Sequence, residues 1–459
     1  MYVSNPHEQE QRLATEPIGK LMLKMAVPSV AAQVINMLYN IVDRIYIGHI
    51  PEIGNVALTG VGVTFPILMI ISAFAAFAGQ GGAPFASIQL GAGRRKEAEE
   101  ILGNSLIMLL SFAVVLTVFF QLYKEPILYA FGASDDTIGY AMDYIGIYLI
   151  GTIFVLLALG LNTFITAQVK SLIAMLSVLI GAVLNIVLDP IFIFGFGMGV
   201  RGAAIATILS QAVSACWVVG FLISHRSGLR IEKSTIKLKW AVIERISSLG
   251  IAPFIMQSTE GLVTVVLNSG MQTYGGDLYV GSITIMQSIM QMITMPVMGI
   301  TQGTQPIMSY NYGAKNYKRV RETFQKLLVV IMTFTTVSTL LVAIFPTLWA
   351  RIFTSDGELI ALVGKVMPIF FAGIWVFGAQ MTCQSTFVAL GQAKISLFLA
   401  LLRKIVLLIP LALVLPKLMG DVMGIYIAEP IADILAASTT TILFFVMRKK
   451  LLPVEETKQ

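Results

Sequence analysis

Charged residues are scarce in this chain. Asp, Glu, Lys and Arg make up 12% of its 459 residues, while hydrophobic residues make up 56%. A soluble domain carries about 25% charged residues, so this composition excludes an ordinary soluble protein. Cysteine is also rare: Cys216 and Cys383 both lie in apolar stretches, which excludes a disulfide framework. The three histidines, His7, His49 and His225, are scattered, which argues against a histidine metal centre.

Several functional motifs are missing as well. Residues 1–20 are polar and lack the apolar core of a signal peptide, so no cleavable signal is expected. The glycine-rich GFGMG at 195–199 precedes no βαβ unit, and no phosphate-binding loop for ATP is found. No nucleophile, metal set or His–Asp pair is visible in the apolar runs, which argues against a membrane-embedded enzyme. We therefore expect no cofactor, and any transport must draw on an ion gradient.

Apolar runs long enough to cross a membrane occur along the whole chain. A helix of about 20 apolar residues, rising 1.5 Å per residue, spans the hydrocarbon core of a bilayer. The sequence predicts twelve spans, at 25–48, 56–79, 101–123, 138–160, 171–194, 203–223, 247–270, 280–303, 325–347, 362–386, 395–416 and 423–446.

The basic residues predict how these spans are oriented. They concentrate in alternate loops and in the tails, for example at 93–96, 224–246, 315–321 and 448–450, and are few on the other face. Lys and Arg mark the cytoplasmic side, so both termini are predicted to be cytoplasmic. The net charge of +6 then reflects topology and contact with anionic membrane lipids, and no nucleic-acid partner is expected.

The chain also repeats itself. QGGAPFASIQLG at 80–91 aligns without a gap to QGTQPIMSYNYG at 302–313, an offset of 302 − 80 = 222. Two parallel repeats of six spans follow, with a substrate cavity expected between them. The predicted fold class is an all-α integral membrane protein with twelve transmembrane helices in two six-helix lobes related by pseudo-two-fold symmetry. The amino lobe is 1–223, a cytoplasmic linker loop is 224–246, and the carboxy lobe is 247–459.

The motif NIVLDPIFIFG, which begins at Asn185, places a carboxylate inside an apolar span. Asn185 and Asp189 are four residues apart and share one helical face. A charge at the bilayer centre costs about 2.5–3.5 kcal/mol or more, so Asp189 must face a partner, water or the bundle interior. Pro190 removes a helical N–H, which frees carbonyl groups, as in the broken helices of transporters. With Asp43 of the first span and Thr207 of the sixth, these groups could hold a small hard cation or exchange it for protons.

An alternative for Asp43 is structural. Its neighbour Arg44 could pair with it as an anchor at the helix end. Residues i and i+1 do not face each other on a helix, which argues against this pairing.

These motifs together resemble those of the MATE (multidrug and toxic compound extrusion) family, in its bacterial MepA- and NorM-like branch, over essentially the whole chain. The resemblance rests on the first-span Pro28 and Asp43, QGGAPFASIQLGAG, NIVLDPIFIFGFGMGVRGAAIAT at 185–207, and its echo GIYIAEPIAD at 424–433. It implies that Asp43, Asn185, Asp189 and Thr207 form the amino-lobe cation site, with Na⁺ as the only metal. It also implies that the first span bends at Pro28 when this site is protonated, so that Pro28 and Pro190 act as hinges.

The carboxy lobe carries a second set of polar residues. Glu260 lies where NorM-like members have an acid on span seven, whereas their acid on span ten is replaced here by Gln380, so a complete second sodium site is not implied. Glu429 and Asp433 are again four residues apart. The predicted substrate or cation residues of this lobe are Glu260, Gln257, Asn268, Gln287, Arg403, Glu429 and Asp433. The alternative is a static network in which Arg403 neutralises the acids.

The resemblance implies a secondary active multidrug efflux transporter of the bacterial plasma (inner) membrane. We expect it to be monomeric and to exchange organic, often cationic, drugs for H⁺ or Na⁺. Two alternatives stay open. A flippase of lipid-linked oligosaccharides shares the broad fold, although its cavity is usually strongly cationic. A membrane channel would not need acids in two lobes beside helix kinks.

Overall fold

The described residues, 12–453, form helices without any strand in a computed structural model of the protein. We number its α-helices in chain order. They are α1 Ile18–Gly48, α2 Gly54–Gly91, α3 Arg95–Ala130, α4 Ile138–Ile150, α5 Thr152–Thr166, α6 Ser171–Pro190, α7 Gly199–Ile223, α8 Trp240–Tyr274, α9 Asp277–Gly313, α10 Tyr317–Ile344, α11 Pro346–Phe353, α12 Gly357–Phe370, α13 Ile374–Ala389, α14 Ala393–Leu401, α15 Ile409–Met419 and α16 Met423–Leu451. Turns of π-helix follow α6 and α14, at Ile191–Gly195 and Leu402–Leu408.

The helices confirm the predicted membrane architecture. Within residues 12–453, eleven helical segments are long and apolar enough to cross a membrane, and the bent pair α4 and α5 makes a twelfth span. The two halves of that pair meet at an angle of 59° around Gly151. A Cβ at Gly151 would lie 2.5 Å from the side chain of Ile208, so glycine permits the close packing of α7 at this bend.

Several helices extend beyond the predicted apolar runs. QGGAPFASIQLG, which begins just after the predicted span 56–79, stays helical to Gly91, and its repeat stays helical to Gly313. Helix α8 begins at Trp240, inside the predicted linker loop, and the short helix α11 lies between predicted spans nine and ten. The reason is that hydropathy detects the apolar part of a helix, whereas the backbone hydrogen bonds continue into the polar turns beyond it.

Paired left-handed turns mark the pseudo-two-fold symmetry. Gly93 and Lys315 both have positive φ, as do Val169 and Gly391, and each pair is separated by the repeat offset of the sequence. In the amino lobe, Gly93 precedes α3 and Val169 precedes α6. In the carboxy lobe, Lys315 precedes α10 and Gly391 precedes α14, which are the corresponding helices of the repeat. The boundaries of the two lobes stay a prediction, and we use "amino lobe" and "carboxy lobe" as names for 1–223 and 247–459.

Helix α1 packs into both lobes. Its first half contributes Leu21 and Met25 to a hydrophobic core that also contains Met308 and Phe324 of the carboxy lobe. Its second half contributes Ile47 to the core of the amino lobe. Pro28 lies inside the helix, near the point where α1 passes from one core to the other. Helix α1 therefore carries Asp43 in its second half, in the amino lobe, while its first half is anchored in the core of the carboxy lobe.

Both described ends of the chain lie on one face, which we call the terminal face. The side chain of Arg319 at the start of α10 donates hydrogen bonds to the carbonyl oxygens of Leu13, at 3.0 Å, and Glu16, at 2.7 Å. Nearby on α10, Arg321 donates to the carbonyl oxygen of Leu452 at 3.2 Å. The start of α10 therefore holds both ends of the described chain.

Backbone contacts between glycines and the opposite lobe close the molecule near the terminal face. A Cβ at Gly91 of α2 would lie 1.9 Å from the carbonyl oxygen of Tyr310 of α9, and a Cβ at Gly313 would lie 1.9 Å from that of Ile88. No side chain fits at such distances, so the two lobes meet backbone to backbone. Similar close approaches between the lobes occur at Gly81, Gly250, Gly299 and Gly303.

Candidate functional site

Four buried polar side chains meet inside the amino lobe. Asn185 and Asp189 follow one another on the same face of α6, and the amide of Asn185 donates to the Oδ1 atom of Asp189 at 3.1 Å. The same amide lies 3.4 Å from the hydroxyl of Thr207 on α7. The carboxyl groups of Asp43 and Asp189 lie within hydrogen-bonding reach of each other, so that one proton could be shared between them. The structure thus brings together the four residues that the sequence predicts for a cation site.

This acid pair forms no salt bridge within residues 12–453. Neither Asp43 nor Asp189 forms an ion pair, and the guanidinium of Arg44 instead lies 5.4 Å from the centre of the Phe65 ring. Pairing of Asp43 with Arg44, the structural alternative, is therefore not found. Two adjacent carboxylates in a buried site cannot both stay ionised without a counter-charge, so the pair must bind a proton or a cation.

Unused oxygen atoms show what the site could hold. Asp43 Oδ1, Asn185 Oδ1 and Asp189 Oδ2 are buried and lack a hydrogen-bond partner among the described residues. Buried polar atoms are almost always paired, so these three oxygens are available to a ligand. Oxygen atoms from carboxylates and an amide suit a hard cation such as Na⁺ or a proton shared between carboxylates.

Tyrosine residues complete this site, and the sequence analysis missed them. Tyr144 of α4 is hydrogen-bonded to Thr207, and its ring stacks on Tyr148 at a centroid distance of 6.1 Å. Tyr39, one turn before Asp43 on α1, is hydrogen-bonded to Gln211 of α7. The sequence pattern that could have revealed these residues is the spacing of four from Tyr39 to Asp43 and from Thr207 to Gln211, which places each pair on one helical face.

A small cavity of about 20 Å³ adjoins two of the four residues, with room for about one water molecule. Its wall includes Asn185 and Thr207 of the site itself. Residues that were not predicted make up much of the rest, among them Asn36, Ser177, Gly181, Ser210, Gln211 and Ser214.

The chain downstream of Asp189 departs from α-helical geometry. Pro190 ends α6, and a π-helical turn over Ile191–Gly195 follows, with the N–H of Phe196 bonded to the carbonyl oxygen of Ile191. Proline lacks the N–H of a regular helix, and π-turns occur often at functional sites. The break beside the acid pair that the sequence predicts is therefore present.

A charged network lies in the carboxy lobe. Arg403, at the π-helical turn after α14, donates from Nε to Asp433 Oδ1 at 2.8 Å and from Nη2 to Glu429 Oε1 at 3.1 Å. Its guanidinium also stacks 4.6 Å from the centre of the Phe377 ring. The structure therefore joins three of the predicted carboxy-lobe residues into one buried network.

The sequence analysis did not predict that Glu260 has a basic partner of its own, and the structure shows that it has one. Glu260 forms an ion pair with Lys404, whose ammonium group also donates to the carbonyl oxygen of Met256 at 2.8 Å. The side chain of Lys404 is only 6% exposed and that of Glu260 is 60% exposed, so a buried ammonium lies beneath a surface carboxylate. Lys404 was overlooked because its partner lies 144 positions away in the sequence.

Three predicted residues of the carboxy lobe stay apart from this network. The side-chain oxygens of Gln257 and Asn268 are buried without a hydrogen-bond partner among the described residues. Gln287, on α9, is half-buried. Gln380 has a buried, unpartnered oxygen as well. None of these amides is hydrogen-bonded to Arg403, Glu429 or Asp433 in the described part of the chain.

Two pseudo-symmetric lobes of membrane-spanning helices, with buried acids beside a broken helix, define a membrane transporter rather than an enzyme. The particular family follows from a comparison with known proteins. The MatE family model matches the chain twice, over residues 28–191 and 251–414. The protein belongs to the MatE family.

Named relatives and solved structures cover nearly all of the chain. The multidrug export protein MepA of Staphylococcus haemolyticus (strain JCSC1435) is 25% identical over 95% of this chain and 95% of its own length. MepA of Staphylococcus aureus (strain MSSA476) is 22% identical over 97% of each. A solved chain named "protein A" is 37% identical, with a TM-score of 0.89 over 97% of this chain and 99% of that one. A crystal structure of MATE in the bent conformation is 24% identical, with a TM-score of 0.89 over 96% and 98%, and supports the fold alone.

Proposed function

We propose that this protein is a secondary active multidrug efflux transporter of the bacterial plasma membrane, with both termini in the cytoplasm. It exports organic, often cationic, compounds in exchange for H⁺ or Na⁺. The observation that carries this proposal is the buried pair of Asp43 and Asp189, which forms no salt bridge in residues 12–453. The relatives named as multidrug export proteins and the basic loops on the terminal face support export and orientation.

The amino-lobe residues have separate roles in this proposal. Asp43 and Asp189 hold the ion, while the amide of Asn185 and the hydroxyl of Thr207 orient the carboxylates. Binding of an ion neutralises the pair and changes the preferred position of α1. Because the first half of α1 packs in the carboxy lobe, that change acts directly on the contact between the lobes. The ion therefore shifts the balance between two arrangements of the lobes.

The transport direction agrees with the closure of the lobes. With the terminal face in the cytoplasm, the backbone contacts around Gly91 and Gly313 join the two lobes on the cytoplasmic side. The amide of Gln33 on α1 also donates to the side-chain oxygen of Gln302 on α9 at 3.0 Å, across the two lobes. In this arrangement substrate leaves outward and ions enter from outside.

Transport in inverted membrane vesicles tests the proposal. We expect imposed proton or sodium gradients to drive accumulation of cationic dyes, and only one of the two ions to support it. The same vesicles with a fluorescent lipid-linked oligosaccharide test the flippase alternative. Gradient-independent movement of that lipid, without dye accumulation under either gradient, would contradict efflux.

Replacing Pro190 should separate ion binding from conformational change. Pro190→Ala restores the missing N–H and allows regular helix where the π-turn now follows α6. We expect the transport rate to fall by about tenfold, equivalent to about 1.4 kcal/mol in the barrier, with ion affinity within about twofold of the unmodified protein.

Asp189→Asn is the comparison variant for this experiment, because it should lose ion binding and transport together. Both quantities are measured in liposomes for the two variants. A Pro190→Ala protein with normal turnover, or one that loses ion binding as fully as Asp189→Asn, contradicts the separate role of the proline.

A further inference from the structure

The repeat identifies the counterparts of the carboxy-lobe charges in the amino lobe. The left-handed residues Val169 and Gly391 each precede a corresponding helix, and Gly181 and Arg403 stand at the same distance after them. Arg403 therefore corresponds to Gly181.

Helices α7 and α16 correspond in the same way. Each has a glycine near its start that packs against the backbone of the preceding span. A Cβ at Gly202 would lie 2.7 Å from the backbone of Phe192, and a Cβ at Gly424 would lie 2.5 Å from the backbone nitrogen of Pro416. Five residues after these glycines, Glu429 corresponds to Thr207. Four residues further on, Asp433 corresponds to Gln211, so the three charged residues have three neutral counterparts.

All three counterparts line the small cavity of the amino lobe. Gly181, Thr207 and Gln211 belong to its wall, together with Asn185, whose amide donates to Asp189. A Cβ at Gly181 would lie 2.3 Å from the hydroxyl of Ser214, so this position leaves no room for a side chain. The amino lobe therefore has no side chain at this position, and hydroxyl and amide groups form part of the cavity wall beside apolar residues.

The carboxy lobe fills the equivalent space with a guanidinium. Ala432 and Ala436, which correspond to Ser210 and Ser214, are small and buried on the same helix as Glu429 and Asp433. Its guanidinium lies between Asp433 and Glu429, over the ring of Phe377. Arginine stays protonated in proteins, and its flat group matches two carboxylates at once. Removing one member of such a buried network leaves an uncompensated charge, so the guanidinium is held firmly.

We propose that Arg403 is a covalently attached counterpart of the ion that the amino lobe takes up from solution. Its guanidinium stays between Glu429 and Asp433 throughout transport, and the carboxy-lobe network exchanges no ion with solvent. This rests on the proposed function in one respect, namely that the amino lobe exchanges an ion. The two lobes thus use one architecture in two ways, with a mobile cation in one lobe and a tethered cation in the other.

Removing the tethered cation should create a binding site for a free one. In the purified full-length protein, Arg403→Gly places at this position the residue that the amino lobe has at Gly181. We expect guanidinium ion, added at millimolar concentration, to bind saturably to this variant and to raise its Tm by about 2 °C. The unmodified protein and the variant Arg403→Gly, Glu429→Gln, Asp433→Asn serve as controls and should show no such rise. Folded Arg403→Gly protein that gains nothing from guanidinium overturns the proposal.

A second variant keeps the test independent of how well Arg403→Gly folds. The neutral network Arg403→Met, Glu429→Gln, Asp433→Asn removes all three charges together, which is often tolerated in a buried network. We expect it to move the same number of ions per substrate as the unmodified protein in liposomes. A ratio lower by one ion overturns the proposal, because the carboxy lobe would then exchange an ion itself. If the unmodified protein shows no gradient-driven export, the proposed function fails, while guanidinium binding still decides the role of Arg403.

Discussion

Asp43→Asn is expected to reduce gradient-driven export to the level of empty vesicles. The carboxylate of Asp43 is buried against Asp189 and forms no salt bridge in residues 12–453, so its loss removes one of the two groups that share the ion in our proposal. Asparagine preserves the size of the side chain but cannot be ionised. Because the substitution also removes repulsion between two acids, we expect the protein to fold and insert normally, with stability unchanged within about 1 kcal/mol.

Asp143→Asn is the matched control for this variant. Asp143 is an exposed acid of the same lobe that pairs with Arg201 at 2.8 Å, and exposed pairs contribute little. Export is measured in vesicles with equal amounts of each protein, beside ion binding in detergent. If Asp43→Asn exports at the same rate as Asp143→Asn, the assignment of Asp43 and Asp189 as the ion-binding pair is contradicted. Loss of activity in both variants would point to a general effect of charge in the amino lobe.

Adding one methyl group at the lobe contact should have the second large effect. In Gly91→Ala or Gly313→Ala, the new Cβ would lie 1.9 Å from a backbone carbonyl oxygen of the opposite lobe. Backbone cannot move aside as a flexible side chain can, so the lobes must separate on the terminal face. Overpacking of this kind costs about 1–3 kcal/mol, which lowers the population of the closed arrangement by about 5- to 150-fold. Transport should fall accordingly.

Gly62→Ala is the control, because it adds the same methyl group to α2 where nothing lies within 4 Å. Spin labels at Lys96 and Lys318, both exposed beside the terminal face, report the distance between the lobes after Cys216 is replaced by serine. We expect longer and broader distances in Gly91→Ala and unchanged distances in Gly62→Ala. An unchanged distance together with normal transport in Gly91→Ala would contradict a closing role for these glycines.

Local patterns predict much of the amino-lobe site. Asn185 and Asp189 share a face through their spacing, and a carboxylate in an apolar span must turn inward. The partner of Asp43 could not be predicted from residue spacing in the sequence. Both Arg44 and Asp189 were available, and only the packing of α1 against α6 shows that Asp43 meets Asp189 while Arg44 turns to Phe65.

In the carboxy lobe, less of the charged network could be predicted from local sequence patterns. Glu429 and Asp433 are visible as a pair in the sequence, but the partner of Glu260 is not. Lys404 follows Arg403 directly in the sequence, but the two basic side chains bind different acids. Arg403 binds Glu429 and Asp433 of α16, whereas Lys404 binds Glu260 of α8. Hydropathy treated Lys404 as part of an apolar run, since one charge hardly changes the average over a span.

The sequence by itself determined the membrane class, the twelve spans, the duplication and the acids inside the spans. These features depend on composition and on short periodic patterns, because each membrane helix satisfies its own backbone hydrogen bonds and its faces follow from residue spacing. Only the tertiary structure decided which charge meets which, how α1 divides between two cores, and where glycines bring the lobes together. Those features depend on contacts between residues hundreds of positions apart, whose distance and direction are set by the packing of whole helices.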